Sequence, residues 1–227
     1  MVVMRVSVFT PSTGRPEMLA LCRKRIEEQD YPILEHIVQE GGTLVENLIS
    51  GLPKTSGDIV VIAEDDDYYS PDWVTECVNG LNLGAVAFGD IRSHYYHLGL
   101  GRRKVFRHPG RSSLNITAFR RELIPTLVEA CTSENSIDIR FWMALNDGHV
   151  PRAFRDSPNP LVIGLKGGPG LRGMGIGHLQ RTYLNYGCDT DDENRTLLRS
   201  LLGGAADEYI SLVASSSHGR RPHQSDD

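Results

Sequence analysis

The stretch Gly57–Trp73, GDIVVIAEDDDYYSPDW, runs an unbroken apolar segment directly into consecutive acidic residues. Ile59–Ile62 show no polar alternation, which predicts a strand buried on both faces, as at the centre of an α/β sheet. The acids Glu64–Asp67 therefore follow the carboxyl end of that strand. Pro71 is expected at the first position of the next helix, with Ser70 as its N-cap. The acids are thus predicted to occupy a tight loop between a strand and a helix.

This acid run needs compensation, because adjacent carboxylates repel one another and cannot be buried alone. A divalent cation could provide that compensation, and so could solvent together with basic side chains. Oxygen-only clusters suit hard cations such as Mg²⁺ and Mn²⁺, and Mg²⁺ is usually held by one or two carboxylates plus substrate phosphates. A nucleotide-activated substrate would supply those phosphates. The alternative is a solvated acidic turn, and the pattern alone leaves both open.

The length and charge of the chain set broad limits. Its 227 residues are enough for one sizeable core, and we expect a single domain over residues 1–214 with a disordered tail at 215–227. A net charge of −5 gives no global attraction to nucleic acid or anionic membrane, so a polyanion would need a local patch.

Compartment is predicted from what the sequence lacks. The N-terminus has no basic region and no cleavage site, which favours a strand over a signal peptide, and no later segment approaches the length of a membrane span. The four cysteines are scattered without a CxxC pair, which argues against a zinc site and a disulfide framework. We therefore expect a cytoplasmic protein without a membrane partner.

The first part of the chain alternates strands and helices. The sequence predicts strands at Val2–Phe9 and Glu35–Gln39, before the acid-ended strand, and helices at Glu17–Gln29 and Leu44–Leu52. Pro16 is expected to open the first helix, and Thr43 with Glu46 gives a capping-box pattern at the start of the second. This order predicts a parallel sheet whose ligand lies beyond the carboxyl ends of the strands. The loop Thr10–Pro16 has no G-x-G-x-x-G pattern, so the dinucleotide-binding fingerprint is absent.

Several of these segments carry a family resemblance. They are Thr10-Pro11-Ser12, Gln29-Asp30-Tyr31-Pro32, His36-Ile37-Val38 with Glu40-Gly41-Gly42, Thr55-Ser56-Gly57-Asp58, and the acid run followed by Tyr69-Ser70-Pro71-Asp72-Trp73. With them the chain resembles a GT-A-type, family 2-like nucleotide-sugar glycosyltransferase. The resemblance implies a three-layer α/β/α domain with a mixed, mainly parallel sheet. It also implies a nucleotide diphosphate sugar as donor, foremost a UDP-sugar, and Mn²⁺ or Mg²⁺ as cofactor.

The resemblance further implies roles for individual residues. It assigns nucleotide-sugar binding to Thr10, Pro11, Ser12, Arg15, Glu40, Glu64 and Asp65. It assigns metal binding to Asp66, Asp67 and His178, although a lone histidine is often only a surface or core residue. Glu40 and Glu64 depart from the family pattern, which has Asp at both positions.

A further helix is predicted from Ile137 to Leu145, with Ser136 as its N-cap, and it carries the candidate for the catalytic base. Asp138 lies in the first turn, where an acid commonly complements the helix dipole. The resemblance gives it another role, because related inverting enzymes carry their general base at the end of an x-E-D motif here. Asp138 is therefore the candidate base, with Glu134 as the fallback.

A glycine-rich segment, residues 167–177, follows the last predicted strand. Ordering so many glycines costs much conformational entropy on folding. The segment is therefore either mobile or brings its backbone close to a ligand. Lys166 precedes it and Arg172 lies within it, and we expect both to contribute to binding of the donor diphosphate.

The stretch Arg92–Arg111 concentrates basic and aromatic residues. Arg102, Arg103, Lys104 and Tyr95 are predicted to form an acceptor patch that meets phosphates and stacks on bases, with a solvated hairpin as the alternative. The predicted function is glycosyl transfer to a hydroxyl acceptor, with the narrower hypothesis of a hydroxymethylated DNA base of the kind that bacteriophages glycosylate. The other classes considered are a nucleotidyltransferase, which usually needs a basic glycine-rich signature after the first strand, and a non-catalytic sugar- or nucleic-acid-binding module.

Overall fold

The computed structural model describes residues 4–133, 135–167 and 189–217. The strands are β1 (Val6–Pro11), β2 (Ile33–Gln39), β3 (Ile59–Ile62), β4 (Asp67–Tyr69), β5 (Ala87–Asp90), β6 (Arg92–His97), β7 (Arg102–Arg107), β8 (Thr117–Arg120), β9 (Arg152–Arg155), β10 (Val162–Lys166) and β11 (Thr190–Asp191). The helices are α1 (Pro16–Glu27), α2 (Leu44–Gly51), α3 (Trp73–Asn82), α4 (Ile124–Ala130), α5 (Ile137–Asp147), α6 (Thr196–Leu202) and α7 (Ala206–Ser217).

The described residues form two compact units, of which the larger comprises Met1–His94 and Val105–Gly164. Its main sheet has six strands in the order β2-β1-β3-β8-β5-β9. Strand β8 is antiparallel to both of its neighbours, and the other five strands run parallel to one another. The predicted mixed, mainly parallel sheet is confirmed.

Helices cover both faces of this sheet. Strand β3 is fully buried, and its residues alternate between two apolar clusters. Val61 packs in one cluster with residues of α1 and α3, and Val60 and Ile62 pack in the other with residues of α2, α4 and α5. An apolar run without polar alternation therefore forms the centre of a three-layer α/β/α architecture, as predicted.

Several local predictions are confirmed. Helix α1 begins at Pro16, and α2 begins with a capping box. In that box the Thr43 hydroxyl accepts a hydrogen bond from the Glu46 amide at 3.3 Å, and the Glu46 carboxylate accepts one from the Thr43 amide at 2.8 Å. Each bond satisfies a backbone donor that the helix itself leaves open.

The segment after the acid run differs from the prediction. Asp67–Tyr69 forms β4, which pairs antiparallel with the first residues of β10, and α3 begins only at Trp73. Ser70 is not the N-cap, because Asp72 holds that position and accepts a hydrogen bond from the Ser70 hydroxyl. The pairing partner lies far along the chain, where local sequence gives no sign of it.

A second capping prediction is right in position but not in contact. Ser136 does precede α5, but its backbone is left-handed with φ of 63° and its side chain makes no capping hydrogen bond.

The smaller unit comprises the described residues within Tyr95–Lys104 and Leu165–Asp227. Within it β11 pairs antiparallel with the start of β7. Asp192 accepts hydrogen bonds from the amides of Leu197 and Leu198, at 3.0 and 2.9 Å, and from the Tyr96 hydroxyl at 2.8 Å. This buried carboxylate thereby caps the start of α6. The single domain over 1–214 stays a prediction, and α7 extends to Ser217, past the start of the expected tail at 215.

Among the described residues, Cys22, Cys77 and Cys131 are buried free thiols. No helix in the described part of the chain is long and apolar enough to cross a membrane.

Candidate active site

The acid run is buried at the end of β3. Asp65, Asp66 and Asp67 are 0, 2 and 1% exposed, and Glu64 is half-buried. Three consecutive carboxylates in such surroundings require donors or cations close by, because burial without them would strongly disfavour their charged form.

The loop after β1 supplies part of that compensation. The Ser12 hydroxyl donates to Asp65 at 2.7 Å, and the Arg15 guanidinium bonds both Asp65 and Asp66, the latter at 2.8 Å. Burial raises the pKa of Asp65, although Arg15 and Ser12 act against that rise. Burial alone would lower the pKa of Arg15, but the carboxylates of Asp66 and Asp65 outweigh it, so the net pKa is raised. Arg15 is therefore a permanent cation inside the acid run.

The last and the first residue of the run are held by an amide and a phenol, respectively. Asn115, in the 3₁₀ turn before β8, donates to the Asp67 carboxylate at 2.6 Å. The Glu64 amide donates to the Tyr69 hydroxyl oxygen at 2.7 Å. Tyr69 is fully buried, which raises the pKa of its phenol well above the usual value, so this oxygen stays uncharged.

Glu64, Asp66 and Asp67 form a group that fits a divalent cation. Each offers one carboxylate oxygen, and the three oxygens lie within 4.8 Å of one another. Mg²⁺ and Mn²⁺ favour hard oxygen ligands, and these carboxylates provide them at the carboxyl end of β3. The geometry thus adds Glu64, expected beside the nucleotide, to the expected metal ligands Asp66 and Asp67.

Hydrogen bonds from β2 and α2 hold the loop after β1, which carries the predicted nucleotide-binding residue Ser12. The Ser12 amide donates to the Gln39 carbonyl at 2.9 Å, and the Asn47 side chain on α2 donates to the Ser12 carbonyl at 2.8 Å. Thr10 is fully buried, and its hydroxyl bonds His36 Nε2 at 2.8 Å. Thr10 is therefore closed to a nucleotide in this structure, whereas Glu40 is exposed beyond β2.

Asp138, the candidate base, is ion-paired. Its carboxylate accepts a hydrogen bond from Arg111 at 2.7 Å, and a second nitrogen of Arg111 lies 2.9 Å from His108 Nδ1. A guanidinium only donates, so His108 Nδ1 is the acceptor and its ring is neutral. Burial, reinforced by Arg111, lowers the pKa of His108 accordingly.

One short segment links this ion pair to the acid run. Arg111 contacts Asp138, and Asn115, four positions later, contacts Asp67. The segment 111–115 thus touches both the candidate metal ligands and the candidate base.

Other predicted residues lie in the smaller unit. The Lys166 ammonium is 5.6 Å from the centre of the Tyr95 ring, so a residue expected at the diphosphate packs on one expected at the acceptor. Arg102 pairs with Asp191 at 2.9 Å and Lys104 with Asp189 at 2.8 Å. Burial lowers the pKa of Arg103. Arg102 and Lys104 are thus ion-paired with aspartates, and Arg103 is partly buried.

Glu134, Arg172 and His178, together with residues 168–177 of the glycine-rich segment, lie outside the described residues.

Two site residues were missed from sequence. Asn47 sits beside the buried Leu48 of α2, and a polar residue on an apolar helix face was a signal that could have found it. Asn115 had no such signal, because no feature of the neighbouring sequence indicates that its amide meets Asp67.

The fold is similar to the GT-A fold of solved glycosyltransferases. A mannosyltransferase from Pyrobaculum calidifontis, solved in complex with GDP-Man and Mn²⁺, is similar with 12% identity and a TM-score of 0.52, over 97% of this chain and 77% of that one. A glucosyl-3-phosphoglycerate synthase from Mycobacterium tuberculosis, in complex with Mn²⁺, UDP and glucosyl-3-phosphoglycerate, shows 17% identity and a TM-score of 0.47, over 67% and 70% of the two chains.

The sequence itself gives the family. Residues 16–135, more than half of the chain, match the family described as glycosyl transferase family 2. The chain therefore belongs to glycosyl transferase family 2, and the resemblance inferred from its motifs is confirmed. No curated protein matches the sequence significantly.

Proposed function

We propose that this glycosyltransferase moves a sugar from a nucleotide diphosphate sugar to a hydroxyl acceptor, with Mn²⁺ or Mg²⁺ held by Glu64, Asp66 and Asp67. The observation that carries the proposal is the group of three carboxylates, two of them buried, at the end of β3 in a family 2 chain. The solved mannosyltransferase of similar fold, which holds GDP-Man and Mn²⁺, supports it. UDP-sugars and GDP-sugars are both candidate donors.

The protein's own residues prepare this site. A bound divalent cation would offset the charge that develops on the leaving diphosphate. Asn115 fixes the orientation of Asp67, and the Tyr69 hydroxyl fixes the backbone at Glu64. The loop holding Ser12 is braced by Asn47, so its backbone is in place before the donor arrives. Such preorganisation reduces the rearrangement needed when charge develops.

Asp138 accepts the proton of the attacking hydroxyl in this proposal, provided that the reaction inverts the anomeric configuration. Arg111 orients its carboxylate through an N–H···O bond of 2.7 Å, and about a quarter of each side chain remains accessible, 26% for Arg111 and 22% for Asp138. One carboxylate oxygen is enough for proton transfer while the other stays bonded to Arg111.

A hydroxymethylated DNA base is the narrower acceptor hypothesis. Binding of DNA would rest on cations free to meet phosphates. Among the described residues of the basic stretch, Arg92 and Arg107 share Asp156, and Arg102 and Lys104 are paired as well. This pairing favours a small or weakly charged acceptor, and DNA enters the test as one arm.

The test is a panel of UDP- and GDP-sugars incubated with Mn²⁺ or with EDTA, with small-molecule alcohols or hydroxymethylated DNA as acceptors. We expect Mn²⁺-dependent release of a nucleoside diphosphate. Asp66→Asn should abolish it, whereas Asp147→Asn, an exposed matched control on α5, should not.

Three outcomes would contradict the proposal. Release of free diphosphate when UTP or GTP with a sugar 1-phosphate replaces the nucleotide sugar would indicate a nucleotidyltransferase, and donor binding without turnover would indicate a binding module. Turnover that persists in EDTA or in Asp66→Asn would reject the metal site.

A further inference from the structure

Arg15 lies where its charge would affect the binding of both a metal ion and a diphosphate. Its guanidinium bonds Asp66 through one terminal nitrogen and Asp65 through the other. The side chain is 10% exposed, and the two carboxylates are 0 and 3% exposed. A charge-assisted pair of bonds in such buried surroundings is stronger than the same pair in water.

The bond to Asp66 has a consequence for metal binding. Asp66 belongs to the group of three carboxylates that fits a divalent cation. A cation entering that group must share the carboxylate with Arg15 and meets the repulsion of its positive charge. Arg15 therefore opposes binding of a metal that comes alone.

The same charge has the opposite effect on a donor. The four acids Glu64–Asp67 would repel a nucleotide diphosphate, and a single divalent cation offsets only part of their charge. Arg15 supplies a further positive charge within the acid run. It also immediately precedes α1, whose N-terminal end adds a favourable dipole for an anion.

A purely structural role is a weaker explanation. Asp65 already accepts a hydrogen bond from Ser12, and Arg15 does not cap α1 through its side chain.

We propose that Arg15 couples the two ligands of the site: it weakens binding of the divalent cation alone and strengthens binding of the donor diphosphate once the cation is present. The inference rests on the function proposed above. Because coupling between two ligands is reciprocal, the metal then enters most favourably together with the nucleotide.

The experiment is calorimetric titration with two probes. The first is MnCl₂ without nucleotide, and the second is UDP or GDP, whichever the wild type binds, at saturating Mn²⁺. For Arg15→Gln we expect Mn²⁺ alone to bind on the order of tenfold tighter, and the nucleoside diphosphate on the order of tenfold weaker. Arg23→Gln removes the same charge from an exposed position on α1 and should leave both affinities within about twofold of the wild type.

The coupling predicts that Arg15→Gln changes the two affinities in opposite directions, with Mn²⁺ alone bound more tightly and the nucleoside diphosphate more weakly. If Arg15 served only to hold the carboxylates in place, its loss would weaken both ligands, and that result would overturn the coupling. Unchanged affinities in Arg15→Gln would overturn it too. If Arg15→Gln does not fold, Arg15→Lys replaces it: one ammonium cannot match the two-pronged contact, so Mn²⁺ alone should bind about threefold tighter with the nucleotide nearly unaffected. Weaker Mn²⁺ binding by that variant would again reject the coupling.

The proposed function fails in a different way. If the wild type does not bind Mn²⁺ even with the nucleoside diphosphate present, or binds it no better than Asp66→Asn does, then the metal site itself is wrong. That result is distinguishable from a wild type that binds both ligands but shows no effect of Arg15.

Discussion

His36 is the residue whose charge depends most clearly on folding. Burial, with a smaller effect of Arg23, lowers its pKa to about 4, and its Nε2 atom lies 2.8 Å from the Thr10 hydroxyl. The ordinary histidine value is about 6.5, so the unfolded chain binds a proton more readily than the folded one. Stability linked to His36 is therefore complete above about pH 6.5 and is lost as the pH falls toward 4.

This linkage predicts a pH-dependent difference between variants. Between pH 7 and pH 5 the wild type should lose on the order of 1 kcal/mol more unfolding free energy than His36→Gln. Urea denaturation followed by circular dichroism at both values measures it. His149→Gln, at an exposed position, is the control and should lose as much as the wild type. Equal losses for His36→Gln and the wild type would contradict the assignment.

Asp138 poses a question that its contacts alone do not decide, because the same carboxylate could complement the α5 dipole or accept a proton. Asp138→Asn keeps the shape and a hydrogen-bonding oxygen for Arg111 but removes the basic carboxylate. We expect turnover to fall by about 10²–10⁴-fold with nucleotide affinity nearly unchanged, since a base acts on the acceptor. Asp147→Asn, near the other end of α5, should keep its rate. A variant of Asp138 that retains most of its rate would restore the structural role.

At the scale of elements, one side chain just after α1 forms hydrogen bonds at the start of α3. Gln29, just beyond α1, donates to the Ser70 carbonyl at 2.8 Å and accepts from the Val74 amide at 2.9 Å. It thus supplies the acceptor for a first-turn amide of α3, which Asp72 does not provide. The start of α3, and with it the end of β4, is held by a residue from another helix.

Gln29→Ala should therefore destabilise the protein by about 1–3 kcal/mol, because the partly buried Val74 amide loses its acceptor and the carbonyls of Ser70 and Arg25 each lose a hydrogen bond. Urea denaturation measures the change. Gln39→Ala removes hydrogen bonds that are exposed, and its effect should stay within about 0.5 kcal/mol. Similar losses in both variants would mean that Gln29 has no special role.

These elements show what the sequence could and could not predict. Strand β3 and the capping box of α2 depend on neighbouring residues, and both were recognised from pattern. Strand β4 depends on pairing with β10, so its three residues were mistaken for a loop. The acids of the site were found because they follow β3 directly. Asn115 was not, because only the folded chain brings its amide to Asp67.

At the scale of the whole molecule, a net charge of −5 is unevenly distributed. Glu64–Asp67 concentrate negative charge at the end of β3, with Arg15 as the cation bonded to it in the described structure. In the basic stretch, by contrast, several cations are paired with aspartates on the surface, where such pairs contribute little to stability. The response of the protein to ions should therefore be dominated by the acid run.

That expectation gives a prediction for thermal unfolding. A ligand that binds only the folded state at 100 times its dissociation constant stabilises it by about 2.7 kcal/mol. For a chain of this size the melting temperature should rise by about 5–10 °C when Mn²⁺ replaces EDTA at matched ionic strength. Asp66→Asn should lose most of the rise, because it removes one of the three grouped carboxylates, whereas Asp147→Asn should keep it. An equal rise in the wild type and Asp66→Asn would show that Mn²⁺ acts elsewhere, and sodium chloride alone should give no comparable shift because screening acts weakly on buried charges.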